Sequence, residues 1–207
     1  MKWIGLTGCM GCGKSTVARI LKTDHGLPVL SADEVALSIL RTDKELHEFI
    51  LTSFGVRPPE PESLVDGLDE DFKRYRSEIA SKVFADSNLL KKYEAFFHPK
   101  IKFKVKDLKT ELGKKEDLVF YDVPLLFEKN MQADFDAIVG VFADPDIQQT
   151  RLQERDSWTP EQIKDRLKHQ TLNSVKIKQC DFVIMNNSSL DDLKNQVSQL
   201  VAKLITH

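Results

Sequence analysis

The residues best suited to chemistry stand together near the start of the chain, where positions 8–16 read GCMGCGKST. Gly8, Gly13, Lys14 and Ser15 spell G-x-x-x-x-G-K-S, the spacing of a loop whose N–H groups and following helix N-terminus surround phosphate. Glycine is needed where the backbone turns or approaches the ligand closely. Lys14 adds positive charge near the β and γ phosphates, and Ser15 offers a hydroxyl to Mg²⁺. Cys9 and Cys12 spell C-x-x-C inside the same loop, a spacing associated with zinc and with dithiol redox chemistry. They occupy its variable positions, so the first expectation is that they act as small side chains. A helix N-terminus and a nearby lysine lower thiol pKa values, which keeps a redox role open. The dinucleotide alternative, G-x-G-x-x-G, fails because Thr16 stands where its third glycine would be.

The elements around the loop have the right order to present it. KWIGLT (2–7) is an apolar strand pattern running into the loop, and TVARILKTDHG then repeats apolar residues at helical spacing up to Gly26. Further strands read over 27–33, 118–126, 135–144 and 181–187, with helical patterns over 34–54, 71–85, 88–112, 146–156, 160–170 and 190–205. Asp144-Pro145 places an N-cap before a first-turn proline, and Thr159-Pro160-Glu161-Gln162 is a capping box. Strands without clean alternation, separated by helices, predict an α/β fold whose parallel sheet is covered on both faces. The proline-rich stretch RPPEPES (57–63) is expected to bound a helical insertion over about 64–112 within a single domain spanning 1–207.

Composition narrows the function classes. The 207 residues are 41% hydrophobic, enough to bury a core, and 30 basic against 32 acidic residues give a net charge of −2. No global positive field draws the chain to nucleic acid or anionic lipid, so any anion site must be local. The longest apolar runs, such as AIVGVFA (137–143), fall far short of the roughly 18–20 residues that span a bilayer. Lys14 and the glycines interrupt the apolar N-terminus before a signal-peptide core could form, and the expectation is a cytoplasmic protein without membrane partners. Three cysteines and five histidines without i, i+4 pairing leave a four-ligand zinc site without obvious candidates.

Carboxylates close two of the strand patterns. Asp33 ends the second, at the sheet edge where ligands bind in open α/β folds, and is either the base that accepts a hydroxyl proton or an N-cap for a helix beginning at Glu34. Asp122 ends the core of the third and either orients magnesium-bound water or makes a structural hydrogen bond. Arg151 and Arg155 share a helix face and Arg166 follows in the next helix, an arrangement that looks like the lid of nucleoside-monophosphate kinases. Lys100, Lys102, Lys104 and Lys106 read as a solvated surface. A GTP-dependent switch is disfavoured, because neither D-x-x-G nor N/T-K-x-D occurs.

Beyond the loop, the chain resembles the dephospho-coenzyme A kinases nearly end to end. SADEVAL (31–37) resembles the family's DADxxAR, YRSEIASKVF (75–84) its LDRxxLxxxVF, FHPKI (97–101) its HPxI, and VFYDVPLLFE (119–128) its DVPLLFE. QQTRLQERD (148–156), RLKHQ (166–170), KIKQCDFVI (176–184) and Asn186-Asn187 follow its later motifs. Ser31, Leu37, Cys9 and Cys12 depart from the family pattern, Leu37 standing where the family has arginine. The resemblance implies a three-layer P-loop fold with a five-stranded parallel sheet, a helical acceptor-binding insertion and a helical lid over about 146–172. It implies transfer of the ATP γ-phosphoryl group to the ribose 3′-hydroxyl of dephospho-coenzyme A with Mg²⁺, by a monomer or weak homo-oligomer. Catalysis would fall to Asp33, Lys14 and Arg155. Gly8, Gly11, Cys12, Gly13, Lys14, Ser15, Thr16 and Arg151 would hold ATP, with Asn186 and Asn187 at the adenine. Arg76, His98, Asp122, Leu125, Glu128 and Arg166 would join Asp33 on the acceptor side, and Ser15 and Asp122 would hold the metal. The nearest alternative is another small-metabolite or nucleoside-monophosphate P-loop kinase.

Overall fold

Five short runs rich in Val, Ile and Phe form the sheet: β1 (Lys2–Gly8), β2 (Val29–Ser31), β3 (Leu118–Asp122), β4 (Ala137–Phe142) and β5 (Phe182–Met185). All pair in parallel, in the order β2-β3-β1-β4-β5. The computed structural model describes residues 1–59, 70–156, 158–167 and 171–206. Every residue of β3 is buried, as expected for a strand covered on both faces. Central β1 lies between β3 and β4, with Leu6 opposite Asp122 and Gly8 opposite Val141. This is a switch point of an open sheet, where the chain leaving the carboxyl end of a strand opens a ligand crevice.

Two compact units result. The first comprises Met1–Ala32 and Leu112–His207, and contains the sheet with α1 (Lys14–Thr23), α6 (Pro145–Asp156), α7 (Pro160–Leu167), α8 (Asn173–Gln179) and α9 (Leu190–Thr206). Its core joins Ile4, Leu6, Phe120, Val139 and Phe142 of the sheet to Val17, Ile20 and Leu21 of α1 and to Leu193, Val197, Leu200 and Leu204 of α9. Two aspartates extend the ladder: Asp136 accepts the Trp3 N–H at 2.7 Å and Asp181 the Ile138 N–H at 2.7 Å. The capping box predicted at 159–162 is made in both directions, Thr159 N–H to Gln162 Oε1 at 2.9 Å and Gln162 N–H to Thr159 Oγ1 at 3.4 Å.

The second unit, Asp33–Glu111, is helical: most of α2 (Ala32–Thr42), then α3 (Lys44–Phe54), α4 (Glu70–Ala85) and α5 (Ser87–Leu112). Val35, Ile39, Leu46, Ile50 and Phe54 share one cluster with Phe72, Tyr75, Ile79, Val83 and Phe97. The helical unit therefore begins at Asp33 and not near 64; residues 60–69, where that boundary was expected, lie outside the described residues. The single helix expected over 34–54 is two, because Asp43 accepts the Leu46 N–H at 2.8 Å and caps a new start. Lys100 of α5 reaches Asp43 and Glu45, both at 2.8 Å, so this lysine is held by carboxylates within its own unit.

Candidate active site

The chain leaves β1 at Gly8 and turns twice through the left-handed region, at Gly11 (φ 76°) and Gly13 (φ 85°), before α1 begins at Lys14. Side chains are excluded there on two counts. Besides the unfavourable φ, a Cβ on Gly13 would lie 2.2 Å from Asn186 Nδ2, and one on Gly11 2.8 Å from Leu152 Cγ. The helix carries no side-chain cap at its N-terminus, which leaves the positive end of its dipole for an anion, although the Thr16 N–H itself donates to the Gly13 carbonyl at 3.0 Å. Ser15 and Thr16 stand in that first turn. These residues fit nucleotide phosphate.

Lys14 Nζ forms an ion pair with an Asp122 carboxylate oxygen, both side chains being largely buried. The pairing follows from topology, since Asp122 closes β3 beside the end of β1. Cys9 and Cys12 form a disulfide with Cα atoms 5.5 Å apart, across a turn in which the Cys12 N–H reaches the Cys9 carbonyl at 3.3 Å. The expectation of two unlinked spacers is thereby revised: the turn itself brings the sulfurs within bonding reach. The left-handed turns at Gly11 and Gly13 are present with the bond in place. Cys180 is the free cysteine, and burial pushes its thiol up to about 12, far from a reactive thiolate.

The loop's carbonyls are held by buried side chains. Gln148 of α6, 3% exposed, donates from Nε2 to the Met10 carbonyl at 2.5 Å, and Asn186, 7% exposed, donates from Nδ2 to the Cys12 carbonyl at 3.0 Å. Arg151 donates to the Asn186 carbonyl at 2.9 Å, whereas the Asn187 side chain accepts the Asp144 N–H at 2.8 Å. The carboxamide of Asn186, expected at an adenine, is thus engaged with the loop. Gln148 opens the stretch QQTRLQERD that resembles a family motif, but sequence alone assigned it no role of its own.

Other candidates have separate surroundings. Asp33 lies in the first turn of α2, exposed, because β2 ends at Ser31 and the helix starts at Ala32; it is neither a strand residue nor the helix N-cap. Arg155 bonds the neighbouring Asp156 at 3.0 and 2.6 Å, and the Arg166 guanidinium stacks over Trp158, 4.1 Å from its centroid. Residues 168–170, at the end of the predicted lid helix, lie outside the described residues. In the helical unit Arg76 is exposed on α4, and His98 on α5 lies 3.8 Å from Glu94. Leu125 is exposed. Glu128 pairs at 2.7 Å with fully buried Lys176 and accepts the Thr171 N–H at 2.9 Å. Burial pushes the Glu128 carboxyl up, but the Lys176 ammonium beside it and the Thr171 N–H outweigh that and hold the group below its ordinary value. Among the described residues no group of three or more His, Cys, Asp or Glu side chains gathers as a metal site, and no helix is long and apolar enough to cross a membrane.

A family model described as Dephospho-CoA kinase matches residues 2–192. The chain belongs to the dephospho-CoA kinase family. It is accordingly a kinase with ATP as phosphoryl donor, which accounts for the loop. A dephospho-CoA kinase of Bdellovibrio bacteriovorus is 36% identical over 205 residues, covering 97% of this chain and 95% of the relative, and one of Fusobacterium nucleatum is 35% identical over 196 residues, covering 95% of each. A solved structure from Thermus thermophilus superposes with TM-score 0.77 at 32% identity, over 98% of this chain and 97% of that one. The dephospho-CoA kinase of Campylobacter jejuni follows at TM-score 0.72 and 26% identity, covering 98% and 96%.

Proposed function

We propose that this protein transfers the γ-phosphoryl group of ATP to the ribose 3′-hydroxyl of dephospho-coenzyme A, forming coenzyme A and ADP. One observation carries the reading: the family match runs over residues 2–192, taking in the phosphate loop and the chain on its C-terminal side alike. Phosphoryl transfer needs alignment and charge neutralisation more than covalent chemistry. In our reading the loop N–H groups and Lys14 hold the donor phosphates, Lys14 exchanging Asp122 for phosphate as ATP enters. Ser15 and the released Asp122 would hold Mg²⁺, which supplies positive charge to the phosphates.

Asp33 accepts the proton of the attacking hydroxyl in this scheme. Its exposure at the start of a helix is compatible with meeting a substrate. In a lid of about 146–172, Arg155 and Arg166 would close on the phosphates, Arg155 leaving Asp156 for a transferring oxygen, while Arg151, bonded to the Asn186 carbonyl, would stay at its fixed base. Arg76, His98 and Leu125 would serve the acceptor, and Asn187 the adenine. For Glu128 we favour an indirect part: its ion pair with Lys176 fixes the chain that follows the lid. The donor resides in the cytoplasm, which is where we expect the enzyme to act, as a monomer or weak homo-oligomer.

A coupled ADP-release assay tests the substrate class. Dephospho-coenzyme A should support turnover, and AMP, CMP, gluconate and shikimate should not. Turnover with any of those four and none with dephospho-coenzyme A would move the protein to another class of small-molecule kinase.

A further inference from the structure

A phosphate loop works only if its N–H groups converge, and in a planar trans peptide the N–H points opposite to the carbonyl that precedes it. Fixing the direction of one therefore fixes the other. The Met10 carbonyl shares its peptide with the Gly11 N–H, and the Cys12 carbonyl shares its peptide with the Gly13 N–H. Those two carbonyls are the ones that receive carboxamide donors, Gln148 Nε2 at 2.5 Å and Asn186 Nδ2 at 3.0 Å.

Both peptides need such restraint. Each is followed by a glycine at positive φ, so no Cβ opposes rotation of the peptide plane and its flipped orientation is open to the chain. Both carboxamides are themselves fixed. Gln148 is 3% exposed on α6 one turn before Leu152, which packs against Gly11. Asn186 is 7% exposed, its N–H donating to the Phe142 carbonyl at 2.8 Å and its carbonyl accepting from Arg151 at 2.9 Å.

We propose that Gln148 and Asn186 are positioning residues for phosphoryl transfer: Gln148 aims the Gly11 N–H, and Asn186 the Gly13 N–H, at the ATP phosphates. Neither touches substrate. Each acts through one peptide plane of the loop, and α6 is thereby tied at its first turns to the nucleotide site. The inference rests on ATP occupying this loop.

The test uses glycine-labelled ¹⁵N protein, whose nine glycines give a sparse spectrum. Wild-type protein titrated with ATP should show large amide shifts at Gly11 and Gly13; their absence would count against the loop as the nucleotide site, independently of how the two variants behave. Gln148→Met keeps the side-chain volume and removes the donor. It should lose most of the Gly11 shift, keep that of Gly13, and raise the ATP Kd about tenfold, the scale of one hydrogen bond. Asn186→Ala should do the reverse at the two glycines, and in both variants KM for dephospho-coenzyme A should stay within about twofold. Variants that lose both shifts equally, keep both, or fail to fold would make the two carboxamides ordinary core hydrogen-bonding groups and overturn the proposal.

Discussion

Lys14 and Asp122 form an ion pair at the carboxyl edge of the sheet, the lysine from the first turn after the phosphate loop and the aspartate from the last position of β3. The lysine that should meet phosphate already holds a carboxylate. Incoming ATP must then compete with Asp122 for one ammonium group. Asp122→Asn removes the competitor and a negative charge near the phosphates, so the Kd for ATP without magnesium should fall several-fold. Turnover with magnesium should nonetheless drop by about 10²-fold or more, the scale for loss of a charge-stabilising group. Calorimetry with and without Mg²⁺, beside the steady-state rate, separates the effects; weaker magnesium-free binding would show that the pair does not compete.

Asp33→Asn isolates the proposed base. Removing a general base costs about 10²-fold or more in kcat, whereas donor binding should be unaffected because the group is assigned to the acceptor. A kcat within a few-fold of the wild type would reduce Asp33 to a first-turn carboxylate that favours the helix dipole.

Lys176 is fully buried and Glu128 only 16% exposed at the side chain, so neither charge is well solvated alone. Glu128→Gln should destabilise the fold by about 3–5 kcal/mol, the scale for stranding a buried charge. Adding Lys176→Met should recover most of that loss in urea unfolding. The carboxyl is depressed in the folded protein from an ordinary value of 4.5, so its contribution is complete above that value and is lost as pH falls through the lower folded one. The parent should therefore lose stability on acidification below about 4.5 more steeply than the double variant. Equal slopes would contradict the assignment.

The disulfide between Cys9 and Cys12 closes a turn that the Cys12 N–H to Cys9 carbonyl hydrogen bond also holds, with Cα atoms 5.5 Å apart. Oxidised and reduced protein should consequently bind ATP with Kd values within about threefold, well under the tenfold that one lost hydrogen bond brings. Mass spectrometry defines the redox state and calorimetry the affinity. Loss of binding on oxidation, restored by dithiothreitol, would mean that the thiols govern the loop.

How much was legible beforehand depended on whether a residue's part was local. G-x-x-x-x-G-K-S after an apolar run announced strand, loop and helix, and Thr159 and Gln162 announced a capping box that forms, because both depend on neighbours in sequence. The helix read over 34–54 hid a break, since only the direction of the Asp43 side chain separates a cap from a solvated surface. Helix α8 went unread: it has seven residues, and its buried residue is Lys176, whose burial depends on Glu128 far along the chain. Gln148 and Asn186 were obscure for the same reason, as a carboxamide gives no sign in sequence of which distant carbonyl it will meet.

The central claim is most directly tested by the product. Protein incubated with ATP, Mg²⁺ and dephospho-coenzyme A should yield ADP and an equal amount of a new phosphomonoester, seen by ³¹P NMR, with mass spectrometry and two-dimensional correlation placing it on the ribose 3′-oxygen. ADP formed without that product, or a phosphoryl group on any other atom of the acceptor, would contradict the assignment.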